Sequence, residues 1–453
     1  MSNVIRIKKG LDISLEGAAT ESIVQLPLAD KYAVKPDDFM GFTPKLLVKQ
    51  GDVVTAGSPL LFDKYRPEWV VTSPVSGTVS LINRGEKRKI LEVVVTTDGK
   101  NEFKEFPVKP IRDLSREEII ELLLGSGLWN FIIQRPYGIV ANPKDQPRSI
   151  FISGFDTAPL APDMNFILKK EADNIEAGLE ALAKLTSGSV NLSVNAEGET
   201  GVLNKVKGAS VHRFEGPHPA GNVGVQINHI APINKGEIVW TVDVQNLAIF
   251  GRFIKTGKVD MTKTIAVTGS QVENPQYYTI INGASIGSIL KGKIKLQKQG
   301  DSVRIISGNV LTGQKVEENG FIGFYGNQIT VIPEGDKYEM LGWAAPRFNK
   351  FSASRSYFSW LMPKKKYDLD TNINGGERAL VMSGIYDNCL PMDIYPIYLI
   401  KAIMAGDIEK MENLGIYEVI EEDIALCEFV DPSKTEMQAI LRDGINAMIK
   451  ELN

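Results

Sequence analysis

Residues 380–392 (LVMSGIYDNCLPM) and residues 421–433 (EEDIALCEFVDPS) repeat one spacing in the C-terminal part of the chain. Bacterial iron–sulfur clusters are held by thiolates spaced C-x2-C-x2-C-x3-C, with a proline directly after the last cysteine. Both segments keep that proline, as Pro391 and Pro432, but only Cys427 places sulfur at a ligand position. The complete set of ligand positions is Leu380, Ser383, Tyr386, Leu390, Glu421, Ile424, Cys427 and Asp431.

This spacing predicts a helical domain over residues 341–453 that has the framework of a two-cluster ferredoxin and holds no cluster. The clearest helical patterns in it are residues 394–404 and 434–452. An alternative stays open, because two helix–loop–helix turns that are punctuated by proline would give the same pattern.

The composition indicates a globular protein of several domains. The chain has 453 residues, more than one hydrophobic core usually supports, with 43% hydrophobic and 23% charged residues. Its formal net charge of -4 lacks the basic excess of nucleic-acid-binding proteins, so we expect no nucleic-acid partner. Only two cysteines are present, and no apolar secretory segment follows Met1. Both features lead us to expect a protein located in the reducing cytoplasm. The longest apolar stretches are shorter than the roughly 20 residues that span a bilayer, so we expect no transmembrane segment.

The N-terminal part, residues 1–105, has the pattern of a small β domain. Short apolar runs alternate with glycine and proline, and residues 49–61 (KQGDVVTAGSPLL) and 72–79 (TSPVSGTV) resemble the two halves of a biotinyl/lipoyl-like barrel. In such barrels a modified lysine lies at a hairpin tip. Lys64 lies near that tip, but Tyr65, Arg66 and Pro67 are unlike a presented hairpin, so we expect an unmodified barrel.

Residues 106–255 mix helical patterns with short apolar strands, which predicts a parallel sheet covered by helices in a Rossmann-like α/β domain. Residues 256–340 are β-rich and broken by glycines, which predicts a β-grasp domain of the soluble-ligand-binding type. The predicted elements of the α/β domain are a helix at 116–124, an amphipathic stretch at 165–185, and strands at 149–153, 190–194, 209–214 and 237–243.

All three histidines, His212, His218 and His229, lie within residues 211–230. They lack the i, i+4 spacing of a zinc-binding helix and have no cysteine nearby, so we expect no metal site. The same window holds a Gly/Pro loop after a predicted strand, and the ends of parallel strands are where α/β sheets accept ligands. This loop, with His218 and Gly221, is a candidate functional or interface loop.

Residues 124–138 (LGSGLWNFIIQRPYG) form a second candidate site. Two glycines are a weak signal for a phosphate-binding loop, whereas the aromatic content suits a planar apolar ring. The alternative is a surface helix that ends at Pro136 and buries its aromatic residues. The residues predicted to contact such a ring, together with an aromatic N-terminal turn, are Phe39, Met40, Phe42, Trp129, Phe131, Arg135 and Tyr137.

Six segments together resemble the NqrA family of the Na⁺-translocating NADH:quinone reductase, and the likeness runs from Ile5 to Leu452. They are residues 7–17 (IKKGLDISLEG), 73–85 (SPVSGTVSLINRG), 126–136 (SGLWNFIIQRP), 216–221 (GPHPAG), 304–313 (RIISGNVLTG) and 421–434 (EEDIALCEFVDPSK). The resemblance implies a peripheral subunit of a six-subunit sodium pump, located at the cytoplasmic face of the bacterial inner membrane. It also implies a part in quinone reduction and assembly, with the flavins, iron–sulfur centre and NADH site on other subunits.

The chain departs from flavin-binding relatives of that family at one loop. Those relatives carry a run similar to GxGGAGFPT, where this chain reads GSGLWNFII with Leu128, Trp129 and Asn130 in place of small residues. Bulky side chains block the close approach of a phosphate to the backbone, so we expect this chain to bind no redox cofactor and to be inactive alone. Two alternatives stay open: a free-standing flavin- or NADH-binding electron-transfer protein, and a scaffold without quinone contact.

Overall fold

The computed structural model describes residues 4–197, 201–295, 302–335, 342 and 347–452. The strands within them are β1 (Val4–Arg6), β2 (Thr20–Gln25), β3 (Lys31–Val34), β4 (Pro44–Leu46), β5 (Val53–Val54), β6 (Pro59–Asp63), β7 (Val70–Thr72), β8 (Gly77–Arg84), β9 (Ile90–Thr97), β10 (Ile133–Arg135), β11 (Ile139–Val140), β12 (Ile150–Ser153), β13 (Val190–Asn195), β14 (Ser210–Glu215), β15 (Val239–Asp243), β16 (Thr262–Thr268), β17 (Gln276–Ile281), β18 (Val303–Ser307), β19 (Gln314–Val316) and β20 (Gln328–Pro333). The α-helices are α1 (Arg116–Ser126), α2 (Met164–Ile167), α3 (Ala172–Ala183), α4 (Val223–Ile230), α5 (Val244–Thr256), α6 (Ile286–Leu290), α7 (Pro396–Met404), α8 (Ile408–Asn413), α9 (Glu421–Val430) and α10 (Met437–Leu452).

Two small antiparallel sheets make up the N-terminal β unit, with strand orders β3-β9-β8-β5 and β4-β6-β7. Val79, Val93 and Val95 are buried in the interior of this unit, and Trp69 is fully buried between the unit and the next part of the chain. The indole nitrogen of Trp69 donates to Asn130 Oδ1 at 2.6 Å, which fixes this unit to the turn that follows α1.

The second unit contains a seven-stranded sheet in the order β1-β14-β13-β12-β15-β10-β11. The first five strands are parallel, β10 is antiparallel to β15, and β11 is antiparallel to β10. The strands predicted from apolar runs at 149–153, 190–194, 209–214 and 237–243 are therefore confirmed. The amphipathic stretch at 165–185 forms two helices, α2 and α3, because the chain leaves helical geometry between Leu168 and Glu171.

A six-stranded mixed sheet in the order β19-β18-β20-β16-β17-β2 forms the third unit. Its edge strand β2 comes from the N-terminal segment, and β1 pairs with β14 in the second unit. The first 25 residues thus supply strands to two sheets that lie far along the chain. The predicted fold class, a multidomain protein with α/β and β units, is confirmed. The domain boundaries 1–105, 106–255, 256–340 and 341–453 stay a prediction.

The C-terminal unit is helical, with α7, α8, α9 and α10 around a core that includes Leu399, Ile424 and Leu441. The two segments that share the repeated spacing contact each other. The Tyr386 hydroxyl donates to Asp431 Oδ1 at 2.7 Å, and Cys427 Sγ lies 3.8 Å from the Tyr386 carbonyl oxygen. All three residues are buried and occupy ligand positions of the repeated spacing.

Helices α3 and α5 pack closely because glycines lie at their contact. A Cβ on Gly251 would lie 1.7 Å from the carbonyl oxygen of Asn174, and one on Gly178 would lie 2.6 Å from the Leu247 side chain. No side chain fits at either position unless the helices move apart. This contact holds the helix layer that covers one face of the seven-stranded sheet.

Gly251→Ala should lower the stability of the chain by about 1–3 kcal/mol, because overpacking outweighs the gain in helix propensity. The urea midpoint and hydrogen exchange in α3 and α5 measure this. Gly125→Ala in α1 is the matched control, since nothing lies within 4 Å of its added methyl group. The control should be neutral or stabilising by up to about 1 kcal/mol. Equal midpoints for the two variants would contradict the close contact.

Candidate functional site

A cleft of about 290 Å³ lies at the carboxyl ends of β12 and β15. Ser153 and Asp243 end these two strands and line the cleft. The third unit contributes Tyr325 and Asn327, and the C-terminal unit contributes Glu422. The cleft is therefore formed where three units meet, at the sheet edge that α/β proteins commonly use for ligands.

Helix α5 begins at this cleft, capped by Asp243. The Asp243 carboxylate accepts hydrogen bonds from the backbone nitrogens of Gln245 and Asn246 at 2.8 and 3.2 Å, and from Asn327 Nδ2 at 3.1 Å. Asn246 lines the cleft and is 2% exposed, and its Oδ1 has no hydrogen-bond partner among the described residues. A buried amide without a partner costs free energy, so this side chain is suited to a ligand's polar group.

Arg135 forms a buried ion pair at the cleft wall. Its Nη1 donates to Asp423 Oδ2 at 2.6 Å and its Nη2 to Glu422 Oε1 at 2.5 Å. The side chains of Arg135 and Asp423 are 1% and 0% exposed. Within the described residues Arg135 Nε is buried without a partner. Two arms of the guanidinium therefore join β10 to α9.

The cleft is acidic. Burial raises the pKa of Glu422 to about 7, and the nearby carboxylates of Asp423 and Asp156 raise it against the opposing effect of Arg135. Burial also raises the pKa of Asp243. Because Asp156, Asp243 and Glu422 all line the cleft, a phosphate or carboxylate ligand would be repelled. A neutral polar group suits the cleft better.

The predicted Gly/Pro loop follows β14 and reaches the cleft with His218 and Gly221. The backbone nitrogen of His218 donates to Asp12 at 2.9 Å, and its ring Nδ1 lies 3.2 Å from the Thr157 hydroxyl. The Gly221 backbone nitrogen donates to the same hydroxyl at 2.9 Å. Burial lowers the pKa of His218 to about 4, so its ring is neutral at physiological pH.

The three histidines do not converge. His212 Nε2 lies 3.0 Å from Asn191 Oδ1 within the sheet, and the exposed His229 contacts its own helix through the Val225 carbonyl at 2.9 Å. Across residues 4–452, leaving aside the undescribed gaps, no three His, Cys, Asp or Glu side chains are grouped to hold a metal ion.

The predicted ring-contacting residues do not form one surface. Phe131 and Arg135 line the cleft. Trp129 is fully buried, with its ring centroid 5.3 Å from that of Trp240, so the alternative of core aromatics describes it. Helix α1 ends at Ser126 rather than at Pro136, because the left-handed Gly127 stops it.

Two further aromatic residues of that set also lie in the core. Phe39 and Phe42 are 2% and 9% exposed. Phe39 lies behind the cleft wall: it contacts Phe324, whose ring stacks on Phe131 at 4.5 Å, and its ring centroid lies 6.4 Å from that of the cleft-lining Tyr325. Met40 is exposed, and Tyr137 contacts Tyr417 at 6.3 Å between ring centroids.

The turn at Leu128–Phe131 contacts the N-terminal β unit through Asn130, whereas Phe131 at its end lines the cleft. Leu128, Trp129 and Asn130 are fully buried, and Asn130 Nδ2 donates to the carbonyls of Val70 and Gly127 at 3.1 and 2.7 Å. A Cβ on Gly127 would lie 2.8 Å from the Thr72 hydroxyl. Protein atoms therefore occupy the space in which a phosphate-binding loop would hold its ligand.

Sequence reasoning missed Asp243, Asn246, Tyr325, Asn327 and Glu422. The signal for Asp243 was present, since an acidic residue between an apolar strand and a helical pattern predicts an N-cap at a strand end. No comparable signal marks Tyr325, Asn327 or Glu422, because their place in the cleft depends on how separate units pack.

Family models match three parts of the chain: the NqrA N-terminal barrel-sandwich hybrid domain at residues 5–98, the NqrA second alpha/beta domain at 114–259 and the NQRA C-terminal domain at 264–318. A relative from Rhodopirellula baltica, named as the A subunit of the Na⁺-translocating NADH-quinone reductase, is 36% identical over 457 residues, covering 99% of each chain. A protein of the same name from Hahella chejuensis is 37% identical and covers 99% of this chain and 100% of its own. This chain belongs to the NqrA family of the Na⁺-translocating NADH-quinone reductase.

The family resemblance inferred from the six segments is thereby confirmed, and the family's proteins are named as subunits of an oxidoreductase. Among solved structures, the H2-reduced state of an NAD+-reducing [NiFe]-hydrogenase matches 49% of this chain and 48% of its own, with a TM-score of 0.36 and 12% identity. That likeness is too weak to guide an argument. Over the residues that the structure describes, no helix is both long and apolar enough to span a bilayer.

Arg135→Ala should destabilise the chain by about 3–5 kcal/mol, because the buried Asp423 carboxylate loses its counter-charge. Urea unfolding measures the change. Arg6→Ala is the matched control, since the Arg6–Glu215 pair is 72% and 42% exposed and should contribute about 0–1 kcal/mol. Similar small losses in both variants would show that the Arg135 pair is not a structural contact.

His218 should make the chain less stable in acid. Because its folded-state pKa of about 4 lies below the usual 6.5, the unfolded chain binds more protons between these values. Stability should therefore fall by about 3 kcal/mol as the pH drops through this window, at about 1.4 kcal/mol per pKa unit. Thermal unfolding from pH 7 to 4.5 tests this: His218→Gln should flatten the slope, whereas His229→Gln should not. An unchanged slope in the first variant would contradict the assignment.

Proposed function

We propose that the chain is a peripheral subunit of the sodium-pumping NADH:quinone reductase, located at its cytoplasmic face, with a part in quinone reduction and in assembly. The flavins, the iron–sulfur centre and the NADH site belong to the other subunits of a six-subunit complex. In this proposal the four units are a biotinyl/lipoyl-like barrel, a Rossmann-like domain, a β-grasp domain and a ferredoxin-like domain without clusters. The relatives' shared name supports the assignment to this reductase.

The side chains at the ligand positions argue against a cluster on this chain. In two-cluster ferredoxins the fourth ligand of one motif binds the cluster held by the other motif. Tyr386 and Asp431 are the third position of the first segment and the fourth of the second, and they form a hydrogen bond at 2.7 Å. The pairing between motifs is thus kept, while a phenol and a carboxylate fill the place of thiolates.

The quinone head group is proposed to bind in the cleft, and the observation that carries this is the unpaired polar side chain of Asn246 beside the wall formed by Phe131 and Tyr325. A quinone head group is planar, neutral and edged by carbonyl oxygens. Aromatic walls suit its faces. Asn246 Nδ2 and Arg135 Nε can donate to its carbonyl oxygens, and the unpaired Asn246 Oδ1 can accept from a hydroxyl of the reduced quinol. The acidic lining repels phosphates, which argues against a dinucleotide in the same place.

Reduction of a quinone takes up protons as well as electrons, and the cleft holds a group suited to supply one. Glu422 lines the cleft, and its pKa is raised to about 7 although Arg135 opposes that shift, so it can bind and release a proton near neutral pH. The His218 ring is uncharged at neutral pH, so it contributes hydrogen-bonding atoms to the cleft wall and no charge. In this proposal the electrons come from the other subunits.

The purified chain should be colourless, because the phosphate-binding turn is filled and seven of the eight ligand positions lack sulfur. Visible spectra of natively purified chain, with iron and acid-labile sulfide analysis, measure this. Stoichiometric flavin, or iron together with sulfide, would instead favour the free-standing electron-transfer protein.

Asn246→Leu should weaken quinone affinity in the assembled reductase by about 1 kcal/mol, roughly fivefold, because a hydrogen bond is lost. Folding should be unaffected, since the amide oxygen has no partner to lose among the described residues. NADH oxidation with an artificial acceptor should persist.

Gln245→Leu is the control for this experiment. It removes a buried amide one residue away that does not line the cleft, and it breaks the hydrogen bond that Gln245 Oε1 accepts from the Thr264 backbone nitrogen at 2.7 Å, so it reports the effect of lost stability alone. Equal losses of quinone affinity in both variants would indicate a folding defect. No loss in Asn246→Leu would leave the chain a scaffold without quinone contact.

A further inference from the structure

The segment before the C-terminal helices concentrates positive charge. Residues 341–367 contain six basic residues and no acidic one, whereas the whole chain has a net charge of -4, so the remaining residues carry -4 - 6 = -10. The basic residues are Arg347, Lys350, Arg355, Lys364, Lys365 and Lys366. This segment therefore carries a net positive charge, whereas the remaining residues taken together are net negative.

The same segment exposes large apolar side chains. Phe348, Trp360 and Leu361 are 59%, 52% and 55% exposed. They belong to one surface: the Phe348 ring stacks on Phe358 at 5.1 Å, and Phe358 and Trp360 share the short helical turn Phe358–Leu361. We call Phe348, Trp360, Leu361 and the basic residues around them the aromatic–basic patch.

Basic groups surround these rings. The Arg355 guanidinium lies 5.9 Å from the centre of the Trp360 ring, and Lys365 Nζ donates to the Phe348 carbonyl at 2.6 Å. Arg355, Lys364 and Lys366 are exposed, and within the described ranges they form no ion pair. The Arg355 charge therefore faces solvent beside the exposed Trp360 ring, and the exposed Lys364 and Lys366 follow the exposed Leu361 closely in the chain.

The backbone that carries the aromatic–basic patch is anchored to the rest of the protein. Tyr357 and Ser359 point inward and are 9% and 6% exposed, and Ser359 Oγ donates to the Ser352 carbonyl. At the end of the segment, the Tyr367 backbone nitrogen donates to the Ser14 carbonyl at 2.8 Å, and its carbonyl accepts from Glu16 at 3.0 Å. The apolar side chains are exposed although their backbone is anchored to the protein.

We propose that the aromatic–basic patch binds the surface of an anionic phospholipid bilayer. Tryptophan rings are enriched at the headgroup level of membranes, and lysine and arginine clusters are attracted to anionic headgroups. A flat anionic surface can engage scattered cations and two or three apolar side chains at once, and needs no complementary pocket. The net negative charge of the remaining chain would orient the protein with this patch toward the lipid.

Co-sedimentation of the purified full chain with vesicles tests the proposal. The chain should bind vesicles that contain phosphatidylglycerol, should bind pure phosphatidylcholine vesicles at least about tenfold more weakly, and should be released by raised salt. Trp360→Ser with Leu361→Ser, and separately Lys364→Glu with Lys366→Glu, should each reduce binding by about tenfold or more. Both sets of changes lie on exposed side chains, so the thermal midpoint should not move.

Lys64→Glu with Tyr65→Ser is the matched control. It also removes an exposed aromatic ring and a neighbouring lysine, with Lys64 Nζ 5.0 Å from the Tyr65 ring centre, but on the N-terminal β unit. This variant should bind vesicles as the wild type does. Wild-type chain that does not distinguish the two lipids, or patch variants that bind normally, would overturn the proposal. If the patch variants fail to assemble with the other subunits in lipid-free detergent, and the wild type binds no vesicles, the patch belongs to a protein partner and the proposal is equally overturned.

Discussion

The buried ion pair between Arg135 and Asp423 is the contact on which the arrangement of the cleft depends. Arg135 ends strand β10 and Asp423 lies in the first turn of α9, so their contact fixes the C-terminal unit to the central sheet. The neighbouring Arg442 pairs with Glu421 and donates to the Tyr137 carbonyl at 2.8 Å, which adds a second link across the same junction. A pair removed from water requires accurate geometry, because neither charge has an alternative solvent partner.

The cleft gains its character from that junction. The ion pair brings Glu422 to the carboxyl ends of the parallel strands, where Asp156 and Asp243 already contribute negative charge. Crowded carboxyl groups resist ionisation, which adds to the effect of burial in raising the pKa of Glu422. A site of this kind disfavours anionic ligands, and its unpaired Asn246 amide favours a neutral polar one. The acidic lining and the unpaired amide together restrict the class of ligand more than the volume of the cleft does.

The N-terminal segment connects units that the chain visits much later. Strand β1 extends the sheet of the second unit, β2 extends that of the third, and Ser14 and Glu16 hydrogen-bond to Tyr367 beside the C-terminal unit. The turn after α1 likewise packs onto the N-terminal β unit through the Trp69–Asn130 hydrogen bond. Because these contacts span long sequence separations, the units are held as one body and the cleft between them keeps its walls.

The amino-acid sequence by itself determined the local elements, the family and the two candidate functional loops. Apolar periodicity located β12, β13, β14 and β15, and the positions of glycine and proline marked the His218 loop, because these signals depend on near neighbours in the chain. Only the tertiary structure decided that Trp129, Phe39 and Phe42 lie in the core while Phe131 and Arg135 reach the cleft, and that Asn246, Tyr325 and Glu422 join them. Burial and pairing of a side chain depend on residues hundreds of positions away, as in the contact between Arg135 and Asp423, and no local pattern records them.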